Sequence, residues 1–185
     1  YEVKEPPGAA TINGDWITND DIKFYQFINE LHIAINREQV KKDYQGKELK
    51  DALANLDNQE SLIKDKNNLL TQIIRLRAMA LLGSEKGFEA SSKEITQEID
   101  NIREQYGKYE AAKRMIKEFG EDKFWNKQEK QYKLIILSQK VQNDLISKVK
   151  KEHPDVNEQE ILFLAQKQYE DLLVSQVNSL KIEIL

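Results

Sequence analysis

The sequence has no cysteine, and among its 185 residues only 3 are proline, 7 glycine, 2 methionine and 2 histidine. Without cysteine there is no disulfide, no thiolate metal site and no thiol nucleophile, although this leaves the compartment open. So little glycine and proline argues against a turn-rich β-sandwich and for long helices. Apolar runs are short: those such as Leu134–Leu137 and Ile161–Ala165 fall far below a bilayer span. No basic block or stripe occurs. The 28 basic and 32 acidic residues are interspersed and sum to −4, which argues against nucleic acid as a partner.

What is present begins with Pro6, Pro7 and Gly8, which make residues 1–8 read as a flexible lead-in. The chain opens on Tyr1, with no signal-peptide pattern. The expectation is a stretch left after removal of a signal or lipid anchor, or an expression boundary. Next comes ATINGDWIT, in which Asn13-Gly14 separates two short strand-like runs, the strongest short hairpin signal. A lone hairpin is marginal in water and needs a partner. The tail KIEIL alternates polar and apolar residues as a half-buried strand does, so the chain ends are expected to meet in one small sheet.

Between the ends the pattern is helical. Thr18 is an N-cap, with Asp20 and Asp21 in the first turn of a helix reaching Tyr44. Phe24, Phe27, Ile28, Leu31 and Ile35 form its apolar face, and Gly46 is expected to end it. A weaker helix, 48–56, follows. Residues 59–82 predict one amphipathic helix with Leu62, Leu69, Leu70, Ile73, Ile74 and Leu81 on one side, stopped by Gly83. Ser91 with Glu94 makes a capping box for a helix reaching Tyr106. A short helix over 109–119, a long one over 122–151 and, after Pro154, a closing helix over 157–179 complete the pattern.

ATINGDWITNDDI, LLTQIIRLRAMALLGSEKGFEASSKEITQEIDNI and the closing KIEI, in this order, resemble the N-terminal chaperone domain of the SurA, PrsA and PpiD folding factors. The resemblance spans nearly the whole chain and implies a mainly α domain over 9–185, with a small sheet made by the hairpin and the C-terminal strand. It also implies an extracytoplasmic module that binds unfolded or secreted polypeptides through apolar surface. Many members of that family insert a parvulin-type prolyl isomerase domain before the closing helix. Here only residues 150–157 lie at that point, too few for any domain, so no catalytic residue carries over.

The long helix is apolar on two sides at about 100° per residue. Phe124, Trp125, Tyr132, Ile135, Ile136, Ile146 and Val149 lie on one side, and Leu134, Leu137, Val141 and Leu145 nearly opposite. Either both sides are buried between neighbours, or one side floors a client groove bordered by Phe119, Phe124, Trp125, Leu134, Leu137 and Val141. Phe163, Leu164 and Val174 lie at the edge of the closing helix's apolar stripe, where a homodimer contact explains them as well as a client does. Arg77, in the middle of an apolar face, reads as a snorkelling side chain or structural ion pair. His32 and His153 stand apart, without metal-ligand spacing, and no phosphate loop occurs. No cofactor, metal or catalytic residue is expected. Two other readings stay open: a scaffold that holds one specific partner, and the non-catalytic part of a longer prolyl isomerase. A membrane tether would lie outside this chain.

Overall fold

Asn13 and Gly14 take φ angles of 52° and 87°, the positive pair that a two-residue hairpin turn requires. They join β1 (Gly8–Ile12) to β2 (Asp15–Thr18). These bounds come from a computed structural model, which describes residues 6–185; the expected lead-in lies partly outside the described residues, and its last member, Gly8, already belongs to β1. β3 (Ile182–Ile184) pairs antiparallel with the other edge of β1, so the sheet order is β2-β1-β3. Ile12 faces Ile182 and Ala10 faces Ile184, whereas Trp16 lies across β1 on β2. The two chain ends thus meet as expected.

Among the described residues seven helices make up most of the chain: α1 (Asn19–Asp43), α2 (Gly46–Ile63), α3 (Lys66–Glu85), α4 (Ser92–Tyr106), α5 (Glu110–Phe119), α6 (Glu121–Glu152) and α7 (Glu158–Ser179). The protein is therefore mainly α with one small antiparallel sheet. Local chemistry explains most of the helix starts. The Thr18 hydroxyl accepts from Asp21 N–H at 3.0 Å, and the Asp21 carboxylate accepts from Thr18 N–H at 2.8 Å. Ser91 and Glu94 repeat this reciprocal cap at α4. α5 is capped from a distance: Glu38 on α1 accepts from Ala111 N–H at 3.1 Å, which supplies the carboxylate that its own N-cap Tyr109 lacks.

Three boundaries differ from the sequence reading. Gly46 opens α2 rather than closing α1, because α2 begins two residues after Tyr44 and runs on to Ile63. Arg37 holds α2 on α1 by reaching Asp57 at 2.8 Å and Glu60 at 2.6 Å. The single helix expected over 59–82 is interrupted at Lys64-Asp65, where Asp65 caps α3 by accepting from Asn67 N–H. Leu62 therefore ends α2 and is exposed instead of joining the apolar side of α3. Gly83 does not stop α3. It lies inside the helix and buried, and a Cβ there would fall 2.9 Å from the Leu137 carbonyl oxygen. A glycine at this point lets α3 and α6 approach closely.

The core has four parts. Ala10, Ile12 and Ile17 of the sheet cover Leu69, Leu70 and Ile73 of α3. An aromatic cluster joins Phe24 and Phe27 of α1 to Tyr106, Phe119, Phe124 and Trp125. Ala78, Met79, Val141 and Leu173 join α3, α6 and α7. Val149, Ile161 and Ala165 close the far end of α6 on α7. The 32 residues of α6 make it about 48 Å long. It touches three of the four parts, which is why it is apolar on two sides.

Candidate functional site

Five of the six residues expected to border a client groove divide into two places, and the sixth, Val141, lies in the core between α3, α6 and α7. Phe119, Phe124 and Trp125 sit at the α5–α6 corner in the aromatic cluster. The Phe124 and Trp125 ring centroids are 4.8 Å apart in edge geometry, and those of Phe27 and Phe119 are 4.6 Å apart. Phe124 is fully buried, while Phe119 and Trp125 are half-buried, with the Arg103 guanidinium 4.5 Å above the Trp125 ring. Such contacts stabilise the corner by aromatic and cation–π attraction.

Leu134 and Leu137 belong to a second place, a groove of about 330 Å³ between the hairpin turn and the α3–α6 pair. Ile12, Ala80 and Leu81 complete its apolar lining, and Asn13, Asp15 and Lys133 rim it. Leu134 is half-buried and faces the groove. Leu137 is 5 % exposed and lies against Gly83 of α3, and Val141, 1 % exposed, is held in the core between α3 and α7. Arg77 fixes one wall. Its Nη1 donates to the Trp16 carbonyl and its Nη2 to Asp21 Oδ2, both at 2.9 Å. It is a structural ion pair that ties α3 to Trp16 of β2 and to the cap of α1. Beside it Gln131 donates to the Tyr25 hydroxyl, whose pKa burial pushes up to about 12.

A larger cleft of about 460 Å³ opens where α1, the α4–α5 turn and α6 meet. His32 Nε2 lies 3.0 Å from the Tyr106 hydroxyl, and Tyr109 donates to Gln39 at 3.0 Å. Burial holds the Tyr106 and Tyr132 phenols above the usual tyrosine range; His32 is an exposed residue, and partial desolvation of its ring beside Tyr106 holds it below the usual histidine range. At neutral pH all three are uncharged; His32 and Tyr106 hydrogen-bond to each other, while Tyr132 makes no hydrogen bond to protein among the described residues. The sequence reading did not single out this cleft, since His32 and Tyr106 are 74 residues apart and no local pattern links them. Phe163 and Val174 are exposed on the outer face of α7, while Leu164 is half-buried against α6.

Among the described residues no group of three or more His, Asp or Glu side chains is placed to hold a metal ion, and no helix is long and apolar enough to cross a membrane. Comparison with models of known protein families, with curated proteins and with solved structures finds no match to this chain.

Proposed function

We propose that the protein is a chaperone-type binding module that works outside the cytoplasm, holds extended or partly unfolded polypeptides and has no catalytic centre of its own. The observation that carries this reading is the apolar groove between the terminal sheet and α3–α6, lined by Ile12, Ala80, Leu81, Leu134 and Leu137. Leu81 and Leu134 open it to solvent over a nearly covered floor of Ile12, Ala80 and Leu137, and polar groups rim it, an arrangement that suits contact with another chain. Its volume suits one or two apolar side chains of a client, read without demanding a sequence. The order of elements, a hairpin first and its partner strand last with helices between, adds the resemblance to the SurA-type chaperone domain.

Burying apolar surface there yields roughly 25 cal/mol per Å², less the cost of ordering a flexible client, so affinity is modest, on the order of micromolar, and weakly salt-dependent. The test is suppression of aggregation of several unrelated unfolded proteins by the chain and by Leu81→Ser/Leu134→Ser. The reading expects protection by the parent and loss of it in the variant, with helicity retained. Protection of a single client only would favour a dedicated scaffold. No protection at all would refute the proposal.

A further inference from the structure

The cleft at the α1, α4–α5 and α6 junction has walls that are already locked and polar groups that the protein does not use. Tyr106 is tied to His32, Tyr109 to Gln39, and the start of α5 to Glu38. Within this frame Asn36, Gln105 and Lys108, exposed on the rim, and the half-buried Tyr132 line the space, and their side chains make no hydrogen bond to another side chain or to the backbone among the described residues. Tyrosine ring faces, with Ile35 and Ile102, supply an apolar lining. At about 460 Å³ the volume falls within the range of small-ligand sites. The formal charge on the lining is that of the Lys108 ammonium alone, since no carboxylate lines the cleft and His32 is neutral.

We propose that this cleft binds a carboxylate carried on an apolar ring, with the ring against the tyrosines and Ile35 and the carboxylate at Lys108. Asn36 and Gln105 on the rim supply amide donors and acceptors. The same chemistry is offered by a free ring-bearing acid and by the C-terminal residue of a polypeptide that ends in such a side chain. The inference is independent of the client groove, which lies on the other side of α6 and shares no lining residue with the cleft.

The experiment follows backbone amide resonances of the whole chain during titration with 3-phenylpropionate and with its amide. Binding of the acid is expected in the range of 0.1 to 1 mM by order of magnitude, about what so small a ligand can reach. Shifts should concentrate at residues 32–36, 102–109 and 132. The acid should bind roughly threefold to fivefold tighter than the amide, because an exposed lysine contributes no more than an exposed ion pair. Lys108→Met should abolish that preference while leaving the spectrum folded, and Tyr132→Ala should weaken acid and amide alike. A short peptide ending in phenylalanine, as acid and as amide, identifies the source. A peptide acid that binds tighter than the free acid points to a chain terminus, and equal binding points to a small acid. Equal affinity for acid and amide in the parent chain, a preference that survives Lys108→Met, or shifts elsewhere would each overturn the proposal.

Discussion

Asn13 and Lys181, 168 residues apart, clasp each other through two hydrogen bonds. Asn13 N–H donates to the Lys181 carbonyl at 2.8 Å, and Lys181 N–H donates to Asn13 Oδ1 at 2.8 Å. One residue thus makes the hairpin turn and fixes the register of the last strand. Asn13→Ala removes the side-chain acceptor and places a residue poorly suited to positive φ in the turn. The expected loss is about 2 kcal/mol. Asn13→Asp keeps an acceptor and tolerates the turn, so it should change stability by less than about 0.5 kcal/mol. Deleting residues 181–185 removes the whole β1–β3 pairing and the packing of Ile182, at a cost of about 2–4 kcal/mol. Urea denaturation of the three variants checks the ranking. An unchanged midpoint for the deletion would show that the chain ends are not joined.

This clasp was legible because both halves have local signals: Asn-Gly for the turn and strict alternation for the tail. The Ser91–Glu94 capping box and the Thr18 N-cap were legible for the same reason, since each needs only residues a turn apart, although the reciprocal bond from Thr18 N–H to Asp21 was not read. The α2–α3 break was not. Apolar spacing runs on from Leu62 to Leu69, and Lys64-Asp65 has neither proline nor glycine to mark a stop. Gly83 misled because a glycine after an apolar run resembles a helix end, while its actual reason is the Leu137 carbonyl on another helix. For the groove, the sequence indicated that α6 has two apolar sides. Which of them is covered depends on where α3 and α7 lie, and no local pattern records that.

Gly83→Ala tests the close approach directly. Helix propensity alone favours alanine by about 1 kcal/mol. Against this, the added methyl meets backbone, the Leu137 carbonyl at 2.9 Å, which cannot swing aside as a side chain would. Overpacking of this kind costs about 1–3 kcal/mol. The net effect should be a lower melting temperature. A higher one would mean that α3 and α6 are farther apart than described.

Between about pH 5 and pH 8 stability should respond to His32. Shielding of its ring beside Tyr106 favours the neutral form, so its pKa is lower folded than unfolded. The folded state then binds fewer protons, and stability is full above the ordinary value of 6.5 and declines as pH falls from there through the folded pKa. Glu60, Glu94 and Glu110 have pKa values lowered by hydrogen bonds from Arg37, Lys140 and Lys113, so their stabilising contribution is lost only at more acid pH, below the ordinary value of 4.5. Comparing melting temperatures of the parent and His32→Gln across the range isolates the histidine. The parent should lose more stability than the variant on acidification from pH 7 to pH 5; parallel curves would refute the assignment.

The six groove candidates should separate by effect, with burial as the cause. Leu137 and Val141 are neighbours one turn apart and both nearly inaccessible, Leu137 against Gly83 and Val141 packed with Ala78, Met79 and Leu173. Replacing both by serine leaves a cavity and two hydroxyls in an apolar site, at a cost of about 4–8 kcal/mol with some sharing between them. That equals or exceeds the stability of many single domains, so Leu137→Ser/Val141→Ser should unfold or melt far below the parent. Leu134 is one turn from Leu137 along the same side of the helix, yet it faces the groove and is half open to solvent. Leu134→Ser should cost no more than about 1.5 kcal/mol and leave helicity intact, while removing apolar surface from the groove. Circular dichroism melts of the two variants, with client binding measured on whichever stays folded, distinguish the roles. If the double variant kept both its fold and its melting temperature, Leu137 and Val141 would be surface residues, and the groove would extend along α6 as far as Val141.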